Sequence, residues 1–361
     1  MKISVAMITR STLYSIRGGD TVQVEQTAVQ LRGMGVEVDI KLTDELIDYT
    51  KYNLLHFFNI IRPSDILYHL KKSGKPFVIS TILIDYSEYD KLYRKGITGK
   101  LFRFLSADQI EYIKTVSRWI LGRDRLMSKA YLWKGQRNSV KEILYAVEIV
   151  LPNSQLEYDR LVKQYHCQPA YQVVPNGIDT SLFQINIFVE KDPLLVICAA
   201  RIEGIKNQVN LIKAINGTKY KLILIGAPAP NQLAYYEACK NIAGDNISFI
   251  KQLTQHDLLT YYHKAKTHVL PSWFETTGLS SLEAAAMGCN VVITNKGDAK
   301  EYFGAAAFYC DPALPESILA AVEKASVAPV DKKFRLQLLE KFNWQQAAAV
   351  TLSAYRKIVE N

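Results

Sequence analysis

Between Pro271 and Thr294 the chain reads PSWFETTGLSSLEAAAMGCNVVIT. The apolar run Thr267 to Leu270 just before it and the run Asn290 to Thr294 at its end are short and continuously hydrophobic, as expected of parallel strands buried on both faces. Between them the spacing predicts a helix starting near Leu279 or Ser280. In open α/β sheets ligands bind beyond the carboxyl ends of the strands, so the loop after Leu270 is where chemistry is expected. Glu275 lies in that loop, and Glu283 follows eight positions later, one turn into the helix. A helix opening there points the amides of Gly278, Leu279 and Ser280 outward, where they suit an anion. A carboxylate repels a diphosphate, so Glu283 belongs away from the phosphates, where its two oxygens can accept from both hydroxyls of a ribose. Glu275 would then sit on the sugar side. The plain alternative is that both are ordinary surface acids, one of them in a first helical turn where acids are favoured anyway.

The same alternation runs outward through all 361 residues. Further strands are expected at Ile3 to Ile8, Val36 to Leu42, Leu54 to Phe58, Phe77 to Leu83 and Glu148 to Leu151 in the first half. In the second half they are expected at Leu194 to Ala200, Leu222 to Ile225, Ile247 to Ile250 and Ala307 to Tyr309, besides the two already named. Two separate sets imply two doubly wound α/β domains, each with its own core, facing each other across a cleft. The boundary is expected at Val174-Pro175-Asn176-Gly177-Ile178-Asp179, followed by a polar stretch up to Asp192-Pro193. The domains are therefore 1–175 and 190–344, with an amphipathic helix in the final residues, 345–361.

Two further elements follow strands. Arg201 closes the strand Leu194 to Ala200, and Lys206 is placed at the start of the next helix. A cation there opposes the helix dipole at a cost of about 0.3–1 kcal/mol, which a bound diphosphate would offset. A planar guanidinium and a mobile ammonium suit the neutralisation of a leaving phosphate without metal. Gly18-Gly19-Asp20 follows the first strand, and the glycines allow close approach of an anion while Asp20 caps a helix running to about Arg32. The full dinucleotide-binding glycine pattern is absent.

These residues resemble family four of the retaining glycosyltransferases, which have the GT-B architecture. The likeness rests on Gly18-Gly19, Pro175-Asn176-Gly177-Ile178-Asp179, Arg201 with Lys206, Glu275 with Glu283, and Gly297 with Glu301, in the family's order over most of the chain. The resemblance implies that Arg201 and Lys206 clamp a donor diphosphate, that Glu283 holds the ribose, that Thr277, Gly278, Leu279 and Ser280 present amides, and that Glu275 contacts the transferred sugar. Leu253 joins the donor-binding set with Gly18 and Gly19. The resemblance also implies an acceptor domain first, a donor domain second and a C-terminal helix crossing back onto the first. Departures are visible. The family's His-Asp pair after its fourth strand is represented only by Asp85, in Thr81-Ile82-Leu83-Ile84-Asp85-Tyr86. Lys251 stands where a glycine is usual, and Thr276-Thr277 replaces Gly-Phe.

Composition narrows the remaining classes. The net charge of +9 is concentrated between Lys91 and Lys141, where thirteen Lys and Arg face three acids. With Leu101-Phe102-Arg103-Phe104-Leu105 and Trp119-Ile120-Leu121 interleaved, the segment suits an anionic membrane surface; a solvated helical insertion is the plain alternative. No RNA-binding motif is present, so no nucleic-acid partner is expected. The five cysteines and six histidines show no metal spacing or disulfide framework. The short apolar stretch at the N-terminus is no signal peptide and no window is long enough to span a membrane, so the expectation is a cytoplasmic protein, peripheral at most on the membrane's inner face.

The expected activity is retaining, metal-independent transfer of a sugar from a nucleotide-diphosphate donor to a glycan or lipid-linked acceptor in surface-polysaccharide or glycolipid synthesis, with no cofactor. The rivals are a nonenzymatic GT-B relative that binds nucleotides or glycans, and a GT-B nucleotide-sugar 2-epimerase, whose additional acid and base are not found.

Overall fold

The computed structural model describes residues 2–94, 97–183 and 190–360. Lys95, counted in the basic segment, and residues 184–189 of the polar stretch lie outside the described residues. The chain divides into two compact units, Met1–Asn176 with Trp344–Asn361, and Gly177–Asn343.

The first unit contains β1 (Ser4–Thr9), α1 (Gly19–Gly33), β2 (Glu37–Leu42), β3 (Leu54–Phe58), α2 (Pro63–Ser73), β4 (Phe77–Ser80), α3 (Ile97–Phe102), α4 (Ala107–Ile120), α5 (Tyr131–Ala146), β5 (Ile149–Leu151) and α6 (Gln155–Tyr165). Its five strands pair in parallel in the order β2-β1-β3-β4-β5. That is the flavodoxin-like doubly wound order, whose switch point lies between β1 and β3. The central strands β3 and β4 are buried throughout, which is why they read as unbroken apolar runs, whereas the edge strand β2 is mostly exposed or half-buried.

Strand β4 is shorter than expected, ending at Ser80 instead of Leu83. Just beyond it Ile82 takes a left-handed φ of 44°. The fully buried Glu157 of α6 accepts hydrogen bonds from the Thr81 hydroxyl, from the Leu83 N–H at 2.7 Å and from the Asn153 N–H at 2.9 Å. Thr81 still pairs through its backbone with Leu151 and Ile60, and beyond it the Leu83 N–H turns to a carboxylate that would be costly to bury alone.

The last helix of the chain, Trp344–Val359, packs on α1 of this unit. Its buried Tyr355 hydroxyl lies 2.7 Å from Nδ1 of His56, whose Nε2 is 2.9 Å from Ser80 Oγ. Burial pushes His56 down to about 3, so it stays neutral at ordinary pH.

The second unit contains β6 (Asp192–Ala199), α7 (Gln208–Ile215), β7 (Lys221–Ile225), α8 (Leu233–Ile242), β8 (Ile247–Ile250), α9 (Gln255–Lys264), β9 (Ala265–Leu270), α10 (Leu279–Ala286), β10 (Asn290–Thr294), α11 (Ala299–Phe303), β11 (Phe308–Cys310), α12 (Pro315–Val327) and α13 (Lys332–Lys341). Its six parallel strands run β11-β10-β9-β6-β7-β8. The chain starts in the middle at β6, winds out through β7 and β8, returns to place β9 against β6, and winds out again. This reversal is the dinucleotide-fold order, and the crevice at the carboxyl ends of β6 and β9 is its switch point.

Asp192-Pro193, expected to close a linker, instead opens β6. A register shift between Asp192 and Val196 accommodates the proline, which cannot donate to a regular ladder. The unit's two ends meet where the Ile178 N–H donates to the Phe342 carbonyl at 3.0 Å. All five cysteines are buried and unbridged. Among the described residues no helix is long and apolar enough to cross a membrane.

Candidate active site

Everything predicted between Arg201 and Glu283 lies in the second unit. After β6 the chain passes Arg201, whose Nη2 donates to Glu203 Oε1 at 2.8 Å, and enters a short 3-10 turn, Gly204–Lys206. Lys206 therefore does not begin the next helix, contrary to expectation. Asn207 separates them in a left-handed conformation, φ 59°, tolerated by asparagine better than by most residues. Its buried side-chain amide donates to the Pro271 carbonyl at 3.1 Å and to the Pro312 carbonyl at 2.7 Å, tying the loop after β6 to the loops after β9 and β11.

That tie places Lys206 against Glu275. Lys206 Nζ donates to Glu275 Oε2 at 2.8 Å, and Ser272 Oγ donates to the same oxygen at 2.9 Å. The two residues stand 69 positions apart in the chain. Lys206 thus has an acidic partner within the protein, a reason for its charge that the helix-dipole argument overlooked. Glu275 is only 8% exposed, and its backbone runs beside Gly297 in a parallel bridge. Its carbonyl accepts from the Asp298 N–H at 2.8 Å.

Helix α10 begins where the spacing predicts. Gly278, at φ 71°, provides the left-handed turn into it, and the helical bonds start with Ser281 and Leu282 donating to the Gly278 carbonyl. Leu279 and Ser280 consequently have no carbonyl partner inside the helix for their N–H groups. Thr277 is buried at the helix entrance, and Leu253 packs half-buried against the core from the loop between β8 and α9.

Glu283, 8% exposed, accepts from Gln255 Nε2 at 2.7 Å and from the Tyr262 hydroxyl at 3.2 Å, one at each carboxylate oxygen. Burial pushes its carboxyl up to about 7, against the lowering effect of these two hydrogen bonds.

In the first unit the glycine loop is organised differently from the sequence expectation. Asp20 does not cap α1. It accepts from Arg10 Nε at 2.7 Å and Nη2 at 3.1 Å, while the same guanidinium also holds the Thr12 and Ile16 carbonyls. The helix is instead closed by Thr21, whose Oγ1 accepts the Gly18 N–H at 3.1 Å. Gly18 is extended, a conformation open to any residue, and Gly19 is the first residue of α1. Asp85 is exposed in the loop beyond β4 and accepts the Ser87 N–H at 2.8 Å, a local turn.

Residues 181–338 match the family described as Glycosyl transferases group 1. The second unit is a group 1 glycosyltransferase domain. Over 263 residues the chain is 26% identical to the D-inositol 3-phosphate glycosyltransferase of Kribbella flavida, covering 61% of this chain and 59% of that protein. It is also 26% identical over 160 residues to the O-antigen chain mannosyltransferase B of Escherichia coli, covering 43% of this chain and 42% of that one. Among solved structures, sucrose-phosphate synthase from Thermosynechococcus elongatus superposes with a TM-score of 0.75 at 16% identity, over 99% of this chain and 100% of that one. The HepE protein of Anabaena in complex with UDP-glucose gives 0.69 at 14% identity, over 98% and 100%. These structures share the GT-B fold of two parallel-sheet, Rossmann-like domains.

Within the glycosyltransferase domain, sequence reasoning missed Asn207, Ser272, Gln255 and Tyr262. Only Asn207 carried a signal, an asparagine at a break between a turn and a helix. Among the described residues no group of three or more His, Cys, Asp or Glu is placed to hold a metal ion.

The raised Glu283 makes a pH dependence. Its folded carboxyl holds a proton that the unfolded chain releases, so its contribution to stability is full below about 4.5 and is lost as pH rises to about 7. If the ionised form is the one that accepts a ribose diol, affinity for an intact nucleotide sugar should fall about tenfold per pH unit below 7. His268, buried at about 3 and bonded to Ser281, does not titrate in that window. Calorimetry between pH 5.5 and 8 checks this, with Glu283→Gln expected to flatten the profile; an unchanged slope in that variant excludes Glu283 as its source.

Proposed function

We propose that the protein transfers a sugar from a nucleotide-diphosphate donor to a glycan or lipid-linked acceptor, with retention of anomeric configuration and without a metal ion. The observation that carries this reading is the meeting of Lys206 and Glu275 at the switch point of the second sheet, beside the first turn of α10. An ammonium has three donors, and with one committed to Glu275 two remain for diphosphate oxygens. The carboxylate thereby stands at the boundary between phosphate and sugar. Arg201 and the Leu279 and Ser280 amides add positive potential for the same diphosphate, and Glu283 keeps acceptor capacity for a ribose.

In the reaction the bond from the anomeric carbon to the phosphate oxygen breaks with oxocarbenium character, and the acceptor oxygen bonds to that carbon on the same face. The departing phosphate oxygen takes the acceptor proton. Lys206 and Arg201 stabilise the charge that develops on the diphosphate. The names of the inositol 3-phosphate and O-antigen chain relatives support an acceptor that is a phosphorylated polyol or a growing surface glycan.

The first test is a thermal-shift panel of UDP, GDP, ADP and their sugars. A ligand at a hundred times its dissociation constant should stabilise by about 2.7 kcal/mol. Release of nucleoside diphosphate from the preferred donor, with the product anomer read by NMR, would follow. Binding without turnover on any acceptor favours the nonenzymatic rival, and inversion at C2 of the sugar favours the epimerase.

A further inference from the structure

The helical insertion between β4 and β5 presents large apolar side chains to solvent that no part of the fold needs there. Phe104 is 88% exposed, Ile120 72%, Leu121 62%, Trp133 75% and Trp119 41%. Three of these are consecutive, at the end of α4, and the turn that follows them is closed by hydrogen bonds. Gly122, at φ 64°, turns the chain, with its N–H on the Trp119 carbonyl and the Arg123 N–H on the Arg118 carbonyl. Asp124 then accepts from Arg62 Nη2 at 2.9 Å, and Arg62 also pairs with Asp65 at 2.7 Å, which pins the turn to α2.

Between Lys91 and Lys141 the charges of the insertion are sorted by depth. The three acids of that stretch point inward: Asp108 pairs with Arg137, Glu111 with Lys114 and Asp124 with Arg62, their side chains 12%, 17% and 14% exposed. Lys114 and Arg94 also bracket the fully buried Asp90. Lys100, Arg103, Arg123, Arg125 and Lys129 are exposed, and Arg125 makes only a 3.7 Å pair with Asp44, with its side chain 74% exposed. The surface that this stretch leaves to solvent is therefore cationic with apolar projections; outside it Asp85 is exposed and Glu142 pairs with Lys134.

We propose that this insertion docks on an anionic lipid bilayer, with Phe104 and the Trp119-Ile120-Leu121 turn entering the interface and the exposed cations meeting lipid phosphates. Aliphatic side chains decide for a bilayer over RNA, since Ile120 and Leu121 offer nothing to stack on a base but gain from an acyl boundary. The inference stands apart from the transfer reading, because docking needs neither donor nor acceptor.

The test is sedimentation of the full chain with phosphatidylcholine vesicles, with and without an equal part of phosphatidylglycerol. Binding is expected only to the mixed vesicles and should weaken with salt. Each exposed cation removed should lower the partition coefficient about fivefold, so Arg103→Gln, Arg123→Gln and Lys129→Gln together should lower it by on the order of a hundredfold. Phe104→Ser, Ile120→Ser and Leu121→Ser together should also release the protein, although the charge is unchanged. The cation variant keeps the test decisive if the apolar one melts early. Equal binding to both vesicles, binding to neither, wild-type binding by the cation variant, or tighter binding to single-stranded RNA than to mixed vesicles would overturn the proposal.

Discussion

Lys206→Ala is expected to lower turnover by about a hundredfold or more while changing donor affinity far less, because its charge matters most as the diphosphate departs. Loss of one such transition-state donor elsewhere costs about 2.7–4 kcal/mol, which sets the scale. The structure adds a second consequence. Glu275 is nearly buried and shares Oε2 between Lys206 and Ser272, so removing the ammonium leaves a desolvated carboxylate with one neutral donor on that oxygen.

Glu275→Ala should cripple transfer and leave binding of the free nucleoside diphosphate almost unchanged, since that carboxylate is assigned to the sugar. Because the two residues touch, the double variant should lose less than the sum of the singles. Glu283→Ala should weaken nucleotide binding through the ribose. Calorimetry with the free nucleotide and a transfer assay on all these variants and Arg201→Ala measure the pattern. The donor-site assignment is wrong if Glu275→Ala abolishes nucleotide binding while Glu283→Ala does not, or if Lys206→Ala and Arg201→Ala are both fully active.

Gly297→Ala should be among the most damaging single methyls in the second unit. The glycine has φ 98°, and an added Cβ would lie 2.1 Å from the Glu275 carbonyl oxygen and 2.9 Å from the Glu275 nitrogen. Neither atom belongs to a flexible side chain, so the two strands of backbone must part, and Glu275 moves with them. Strain at such a φ costs about 1–3 kcal/mol and overpacking about as much again, so a loss of about 3 kcal/mol or more is expected. For a unit of this size that lowers the melting temperature by about 6–12 °C. Gly217→Ala is the control: its φ is 69°, with nothing within 4 Å of the added carbon. It carries the backbone strain without the collision and should cost about 1–2 kcal/mol. Equal melting temperatures for the two variants would show that the contact with Glu275 does not matter.

Local chemistry made much of this legible. Buried parallel strands are apolar on both faces, so β3, β8 and β10 could be bounded from their residues alone, and the spacing between flanking strands placed the start of α10 near Leu279 or Ser280. The residue types around Glu275 and Glu283 likewise set the expectation of a diphosphate and a diol. Hydrophobic runs do not say which strand neighbours which, however, and the return of β9 to β6 is what makes a crevice of two loops far apart in the chain. Nor could spacing reveal that Lys206 pairs with Glu275, that Asp20 is taken by Arg10 instead of capping its helix, or that burial raises Glu283 to about 7 although Gln255 and Tyr262 donate to it. Residue type sets what a side chain can bind, whereas its partner and its protonation depend on distance and desolvation, and those are properties of the packed chain alone.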